Sequence, residues 1–154
     1  MKALYLAQIG RQLFAIDKEC VLGIVKCNDA SFKPVVEKGR QYLLLPYNNR
    51  AVICDVQALM TGSGEAAPAR RHYLIIAHND QVMGLAMSGK GRIVTADVAA
   101  VRPLPPAFTG QSRALVPGVL VNGIDLILLL DLQAVLEAIP GPCPGDGCRA
   151  QEQR

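Results

Sequence analysis

Residues 55–60 read Asp-Val-Gln-Ala-Leu-Met, and residues 131–136 read Asp-Leu-Gln-Ala-Val-Leu, 76 positions later (131 − 55). A second, fainter match relates residues 12–16 and 23–25 to residues 81–85 and 92–94, 69 positions later (81 − 12). The matches occur in the same order, and the difference of seven residues fits a change in loop length. We therefore interpret the chain as a duplicated half-domain that is too small to bury a good core alone. The alternative is chance similarity among apolar strands.

The composition indicates a folded protein with an aliphatic core. Hydrophobic residues make up 51% of the 154 residues and charged residues 19%, whereas aromatic residues make up 5% and Trp is absent. Disorder is therefore not the default, and the core must consist mainly of Leu, Ile, Val and Ala. The net charge of +3 comes without a basic run that carries interleaved aromatic residues. This pattern gives no support to nucleic-acid binding.

The sequence predicts neither export nor direct insertion into a membrane. Arg11 interrupts the apolar start of the chain, and no small-residue cleavage site follows it. The most apolar run, residues 124–139, contains Asp125, Asp131 and Glu137, and it is well short of the roughly 18 uncharged residues that a spanning helix needs. The five cysteines are an odd number. A reduced, cytoplasmic protein is the simplest interpretation.

Short strands separated by turn signals run through both halves. Three hairpins are predicted, with turns at residues 10–11, 79–80 and 122–123. Asp55 and Asp131 each precede a short helical pattern, over residues 56–60 and 132–139, and are placed to cap it. About ten short strands in two groups, with hardly any helix, predict a mainly β fold of two small β-barrels packed on each other.

The predicted domain covers residues 1–139, with halves at about 1–62 and 73–139 between which strands are free to cross. Residues 61–68 are rich in Gly, Ala and Ser and have no periodicity, which is typical of a link between halves. Residues 140–154 are Gly, Pro and polar residues. We predict that they form a disordered tail.

The order and spacing of these segments resemble those of the CheW-like domain family of bacterial chemosensory proteins. In the second half the resemblance lies in Val-Met-Gly-Leu at 82–85, Val-Arg-Pro-Leu-Pro-Pro at 101–106, Val-Pro-Gly-Val at 116–119 and Ile-Leu-Leu-Leu-Asp-Leu at 127–132. In the first half it lies in Phe-Ala-Ile-Asp at 14–17, Val-Leu-Gly-Ile at 21–24 and Val-Ile-Cys-Asp-Val at 52–56. No single motif is specific, but together they cover roughly residues 4–139.

The resemblance implies two small five-stranded, SH3-like β-barrel subdomains that share a hydrophobic core, with a short C-terminal helix. It also implies a non-catalytic adaptor that couples the cytoplasmic tip of a chemoreceptor to the regulatory domain of a CheA-type histidine kinase. We therefore expect a cytoplasmic chemotaxis protein with no cofactor, no metal and no enzymatic activity. The alternatives are a divergent scaffold of a non-chemotaxis complex and a β-barrel that binds a small ligand.

The resemblance further implies a partner-binding surface. The positions that match or replace receptor-facing residues of the family are Val21, Gly23, Tyr47, Asn48, Gly84, Lys90 and Ile93. Tyr47 stands where the family has Arg, and Gly23 stands where it has an acidic residue. Because Tyr cannot replace the charged fork of Arg, we expect the scaffold to be retained and the partner face to be altered. The alternative is that Tyr42, Tyr47 and Asn48 are ordinary turn and strand-end residues.

Other residues that could form a catalytic, metal or phosphate site fit structural roles better. Cys143 and Cys148 are separated by four residues, which is not the spacing of a zinc-binding pair, so a disulfide or free thiols are expected. His72 and His78 flank an apolar strand, and no sequence signal places a nucleophile beside them. Residues 88–91 lack the following helix of a phosphate-binding loop. An adaptor should expose a strip of aliphatic residues, whereas a ligand-binding barrel should have a closed pocket with convergent polar groups.

Overall fold

The computed structural model describes residues 1–26, 35–45, 49–61, 72–89, 91–106, 108 and 110–139. The strands of this part are β1 (Lys2–Ile9), β2 (Gln12–Asp17), β3 (Val21–Lys26), β4 (Val35–Glu37), β5 (Arg40–Leu45), β6 (Asn49–Cys54), β7 (His72–His78), β8 (Gln81–Met87), β9 (Arg92–Ala96), β10 (Arg102–Pro103), β11 (Gly118–Asn122) and β12 (Asp125–Leu129). The α-helices are α1 (Val56–Thr61), α2 (Gln111–Leu115) and α3 (Leu132–Ala138). The predicted tail, 140–154, and most of the predicted link lie outside the described residues.

The strands form two sheets, and each sheet takes strands from both halves of the chain. Sheet 1 has the order β10-β11-β12-β2-β1-β9, and sheet 2 has the order β4-β5-β6-β8-β7-β3. The orders match strand by strand, and each contains one parallel pair, β12–β2 and β6–β8. In these pairs Leu128 lies opposite Phe14 and Val52 lies opposite Met83. Since 128 − 52 is 76 and 83 − 14 is 69, the observed register supports the duplication inferred from the sequence.

The predicted fold class, a mainly β protein of two similar units with few helices, is confirmed. Each sheet has six strands rather than the expected five, and closure into a barrel is not seen in the described residues. The additional strands are the short edge strands β4 and β10, which gave no clear sequence signal. β10 contains Pro103, and a proline is tolerated there because an edge strand need not donate a hydrogen bond on its outer side.

Apolar side chains are buried on both faces of each sheet. On β1, Tyr5 belongs to a central core shared by the two sheets, whereas the adjacent Leu6 belongs to a smaller core made by sheet 1. On β7, Leu74 belongs to the central core and Ile75 to a smaller core made by sheet 2. This alternation follows from the two-residue period of a strand. Each sheet therefore curves around its own core and packs on the other sheet through the shared one.

Equivalent aspartates begin helices α1 and α3. The Asp55 Oδ1 atom accepts a hydrogen bond from the Ala58 backbone N at 3.2 Å, and the Asp131 Oδ1 atom accepts one from the Ala134 N at 3.1 Å. These contacts satisfy backbone N–H groups that have no partner within the first helical turn. The capping roles predicted from the sequence are therefore confirmed, and the two caps are related by the 76-residue offset.

Helix α2 was not predicted, and its Arg113 side chain bonds to the segment before it. Arg113 donates from Nε to the Phe108 carbonyl oxygen and from Nη2 to the Pro105 carbonyl oxygen, both at 3.1 Å. These bonds hold in place the proline-rich segment that precedes the helix and that pairs with no strand at these two carbonyls. At the end of α2, Leu115 is fully buried in the central core, and its carbonyl accepts from the Asp131 N at 2.9 Å.

Candidate partner-binding surface

Val21 and Gly23 lie on β3, the edge strand of sheet 2. The pairing of β3 with β7 is irregular between these residues, and the intervening Leu22 is 63% exposed. Val21 is half-buried against the central core, and Gly23 has open space where a side chain would stand. Ile24 is 46% exposed. The aliphatic groups that reach solvent on this strand are thus Leu22 and Ile24, next to the positions predicted from the sequence.

Ile93 lies on β9, the edge strand of sheet 1, and is 54% exposed. It stands opposite Tyr5, and Ile24 stands opposite Leu74 in the other sheet. Both pairs are related by the 69-residue offset (93 − 24 and 74 − 5), so the equivalent edge strands β3 and β9 expose an isoleucine at the same place. Sequence reasoning named Ile93 and missed Ile24, although the repeat itself would have paired them. We call Leu22, Ile24 and Ile93 the edge residues.

Gly84 is buried in the middle of β8. A Cβ atom added to it would lie 2.7 Å from the Cδ1 atom of Leu43, which is closer than such atoms can approach without movement of the leucine. Its position permits close packing inside sheet 2 and offers no atom to a partner. Three of the other predicted residues, Tyr47, Asn48 and Lys90, lie outside the described residues.

A second set of exposed aliphatic side chains lies on the β11–β12 hairpin. Val121 is 60% exposed, Ile124 is fully exposed and Leu126 is 36% exposed; we call these three residues the hairpin surface. Val121 stands opposite Leu126, and the equivalent opposite pair in sheet 2 is Leu44 and Arg50. The turn was predicted from the sequence, but this surface was not. Both faces of these strands carry apolar residues, so alternation does not say which face is covered.

In sheet 2 the counterpart of Val121 is the exposed Leu44, but the counterpart of Leu126 is the charged Arg50. Arg50 pairs with Glu37 on β4, and its guanidinium carbon lies 5.8 Å from the centre of the Tyr42 ring, within reach of a cation–π contact. Tyr42 also packs against the central core. These contacts give Tyr42 a structural role, in line with the alternative interpretation of that residue.

The electrostatic features of the described residues are local. Lys2 Nζ lies 2.9 Å from Asp17 Oδ2. The hydrogen bond from Lys2 lowers the pKa of Asp17, and the same bond raises the pKa of Lys2. This pair ties the start of β1 to the end of β2, which lie side by side in sheet 1.

The thiols in the described part of the chain are poor nucleophiles. Burial raises the pKa of Cys54, which lies in the central core, and burial also raises the pKa of Cys20. A thiol with a raised pKa carries little of the reactive thiolate at neutral pH. Across the described ranges, no group of three or more His, Cys, Asp or Glu side chains is arranged to hold a metal ion.

No α-helix in the described part of the chain is long and apolar enough to span a membrane.

Fold and surface together define a class of protein. Large aliphatic side chains are exposed on β3, on β9, on the β11–β12 hairpin and, as Val36 and Leu44, on β4 and β5. The thiols with raised pKa values lie in or against the core. Exposed aliphatic groups on a rigid β framework are typical of a module that binds other proteins. The fold and the exposed residues therefore indicate the class of protein-interaction modules.

The chain belongs to the CheW-like domain family, whose model matches residues 4–139. The resemblance recognised in the sequence is thereby confirmed over the same stretch. Membership places the chain among the non-catalytic scaffold and adaptor proteins of chemotaxis, which agrees with the expectation that it is not an enzyme.

Among solved structures, the chain is similar to the scaffolding protein TtCheW from Thermoanaerobacter tengcongensis. The TM-score is 0.64 at 17% sequence identity, and the similarity covers 84% of this chain and 88% of that chain. At this identity the likeness concerns the fold alone. No curated protein matches the chain.

Proposed function

We propose that the chain is a cytoplasmic adaptor that couples the tip of a chemoreceptor to the regulatory domain of a CheA-type histidine kinase. Membership of the CheW-like family supports the adaptor role. The observation that carries the proposal is that exposed aliphatic residues lie at separate places in the sheets, among them the edge residues on β3 and β9 and the hairpin surface on β11 and β12. An adaptor must hold two partners at the same time, and it therefore needs two surfaces that do not overlap.

We assign the edge residues to the receptor and the hairpin surface to the kinase. The edge residues include Ile93 and neighbour Val21 and Gly23, which the family resemblance places on the receptor side. The hairpin surface lies on β11 and β12, which β2 and β1 separate from β9 in sheet 1. A transient signalling contact of this kind is small and depends on a few buried anchors, and three aliphatic side chains suffice for that.

The receptor side has lost charge relative to the family pattern. Gly23 replaces an acidic residue, and the space beside it is open; Tyr47 replaces an arginine. With these charges absent, recognition rests more on aliphatic contacts, so the protein is suited to a divergent receptor. Ordinary, tight binding of receptor tips from a standard chemotaxis system would contradict this part of the proposal.

Two matched variants test the assignment. Ile93→Asp and Ile124→Asp each place a charge on one exposed set, and neither residue is buried, so both proteins should fold as the wild type does. Titration calorimetry with a purified receptor tip and a purified kinase regulatory domain from the same cells measures both contacts. Ile93→Asp should weaken receptor binding by about 10-fold and spare the kinase, and Ile124→Asp should do the reverse.

Partner capture provides the broader test. The wild-type protein, tagged and recovered from its own cells, should bring down a kinase with a CheW-like regulatory domain and a chemoreceptor, identified by mass spectrometry. Recovery without either protein would reject coupling and favour a non-chemotaxis complex. If both aspartate variants bind both purified partners normally, the adaptor role stands and the assignment of surfaces is wrong.

A further inference from the structure

Two exposed glutamines at equivalent positions connect each sheet to the other. Gln57 lies on α1, which follows β6 of sheet 2, and Gln133 lies on α3, which follows β12 of sheet 1 (133 − 57 is 76). Gln57 lies against the β1–β2 turn of sheet 1, and Gln133 bonds to the β7–β8 turn of sheet 2. Each sheet thus contacts a hairpin turn of the other sheet through the helix that follows it. We call Gln57 and Gln133 the bridging glutamines.

The contact made by α3 is a hydrogen bond with a defined direction. Asn79 Nδ2 donates to Gln133 Oε1 at 2.8 Å, and Gln133 Nε2 donates to Glu137 Oε2 at 3.1 Å, one helical turn further on. Because an ionised carboxylate only accepts, Glu137 holds the amide nitrogen of Gln133 on its own side, and the amide oxygen is left to face Asn79. Asn79 has a φ of 50°, a left-handed conformation in which asparagine is enriched.

The contact made by α1 is a packing contact. A Cβ atom added to Gly10 would lie 3.1 Å from Gln57 Nε2 and 3.2 Å from Gln57 Oε1, so the amide of Gln57 lies directly against the turn. Gly10 has a φ of 64°, which favours glycine. The Gly10 N donates to Ser88 Oγ, and the Ser88 N donates to the Gln8 carbonyl oxygen at 2.8 Å. Since Ser88 directly follows β8, sheet 2 holds this turn through two residues.

The β7–β8 turn is held differently. By the 69-residue offset, the residue equivalent to Ser88 is Glu19, and the Glu19 backbone N donates to Asp17 Oδ1 at 3.0 Å, at the end of β2 in its own sheet. In the described part of the chain, the bond between Gln133 and Asn79 therefore has no counterpart of the Ser88 contact beside it. Loss of Gln133 should free its turn more than loss of Gln57 frees the other.

The bridging glutamines add direction to a contact that is otherwise apolar. The central core contains side chains from both sheets, and the burial of apolar surface is a non-directional driving force. It opposes separation of the sheets more than rotation of one sheet on the other. A hydrogen bond weakens steeply when its angle bends. Polar contacts from two helices to two turns therefore oppose such a rotation.

We infer that the bridging glutamines are positioning residues that fix the orientation of sheet 1 relative to sheet 2 and thereby shape the receptor-binding surface. This consequence rests on the proposed function. The edge residues are divided between the sheets, with Leu22 and Ile24 on sheet 2 and Ile93 on sheet 1. The hairpin surface lies on sheet 1 alone. A rotation between the sheets therefore changes the surface assigned to the receptor and leaves the surface assigned to the kinase intact.

Residual dipolar couplings of the free, full-length protein measure the orientation without any partner. In the wild type, the backbone N–H vectors of both sheets should fit one alignment tensor. In the double variant Gln57→Ala/Gln133→Ala the two sheets should need different tensors, while each sheet keeps its own internal geometry. The matched control is Gln41→Ala, an exposed glutamine on β5, which should behave as the wild type does. A single tensor for the double variant would overturn the inference.

Calorimetry with purified partners tests the consequence. Gln133→Ala should weaken binding of the receptor tip by about 3- to 10-fold and leave binding of the kinase regulatory domain unchanged. A general loss of stability would not separate the two partners in this way. Unchanged receptor binding, or an equal loss for both partners, would overturn the assignment of this role to Gln133.

A rearranged pair provides the rescue. Gln133→Glu combined with Glu137→Gln keeps the net charge and every polar contact, because the new carboxylate still accepts from Asn79 and the new amide still donates to that carboxylate. This variant should bind the receptor tip as the wild type does. Binding as weak as that of Gln133→Ala would show that the hydrogen bond is not what matters and would overturn the inference.

The two experiments separate this inference from the proposed function. A receptor tip that does not bind the wild type would reject the receptor half of the proposed function. The dipolar couplings of the free protein then decide the orientation by themselves. Two tensors in the double variant would support the positioning role, and one tensor would reject it.

Discussion

Sheets 1 and 2 pair their strands in the same order and register, yet they differ where side chains meet. In sheet 1, Ala15 and Leu120 lie together in the small core. In sheet 2 the equivalent residues are Gly84 and Leu43, and the leucine fills the space that an alanine methyl would need. The comparison teaches that backbone pairing is the common property of the two halves, while each core is adjusted locally.

The surfaces of the two sheets differ more than their cores. Through the repeat, Gln8 and Arg92 of sheet 1 correspond to Ala77 and Gly23 of sheet 2. Leu126 of the hairpin surface corresponds to Arg50, which pairs with Glu37. A duplicated framework thus carries two unlike exteriors. This is what an adaptor requires, since two partners must be recognised by different chemistry on one rigid body.

The largest expected effect tests whether the sheets are one cooperative unit. Leu85→Ala and Ile16→Ala remove equivalent side chains (85 − 16 is 69) from the central core, where both are almost completely buried. Each should lower the free energy of unfolding by about 2–5 kcal/mol, because a cavity remains. Urea unfolding followed by circular dichroism should still show one transition. Two transitions in either variant would mean that the sheets unfold separately.

A smaller effect is expected where side-chain packing differs between the two small cores. Gly84→Ala should destabilise by about 1–3 kcal/mol, because the added methyl overlaps Leu43. Adding Leu43→Val should restore part of that loss by opening space. The matched change Ala15→Gly in sheet 1 should cost about 1 kcal/mol, through lost burial and greater freedom of the unfolded chain. Wild-type stability of Gly84→Ala in urea would contradict the tight packing at this position.

Loss of either helix cap should cost about the same stability. This tests the equivalence of the two halves where their sequences match most closely. Asp55→Ala and Asp131→Ala each remove an acceptor from a helix N-terminus and should cost about 1 kcal/mol in thermal or urea unfolding. Asn should be tolerated better than Ala at both positions. Asp125→Ala, an exposed control on β12, should stay within about 0.5 kcal/mol of the wild type. A large difference between the two caps would break the equivalence.

The smallest effect concerns an ion pair that only sheet 1 contains. Asp17 pairs with Lys2, and Ala86 stands at the equivalent place in sheet 2 (86 − 17 is 69). Because the folded state lowers the pKa of Asp17 below its ordinary value of 3.8, the carboxylate contributes stability above that pH and loses it as the pH falls through the lowered pKa. The contribution is small, since the pair is partly exposed.

Comparison of Asp17→Asn with the wild type measures this contribution. The variant should unfold slightly more easily at pH 7, and the difference should vanish in strong acid, where the wild-type carboxyl is also neutral. Added salt should reduce the difference at pH 7. A difference that grows as the pH falls would have the wrong sign for this pair.

Much of this architecture could be predicted from local sequence signals. The turn signal at residues 10–11 between two apolar stretches predicted β1 and β2. Asp55 and Asp131 predicted where α1 and α3 begin. The parallel pairing of β12 with β2 could not be predicted from the sequence, because that contact joins residues far apart in the chain. The offsets of 69 and 76 were visible, but they do not say which strands become neighbours.

The candidate site was predictable only in part, for a physical reason. Both faces of these strands are apolar, so composition does not distinguish a buried leucine such as Leu43 from an exposed one such as Leu44. The family resemblance pointed to Val21, Gly23, Gly84 and Ile93, which the structure divides between edge strands and a buried position. Ile24 and Ile124 are exposed in the fold, which the sequence pattern did not indicate.

The parallel pair β12–β2 has a consequence for how the protein is made. Residues 13–15 pair with residues 127–129, so the β1–β2 hairpin has a bare edge until β12, the last described strand, emerges from the ribosome. During synthesis that edge is open to pairing with other chains, a hazard for strands that must wait for distant partners. A chain that ends before β12 would therefore be prone to aggregation and would not form a smaller functional domain.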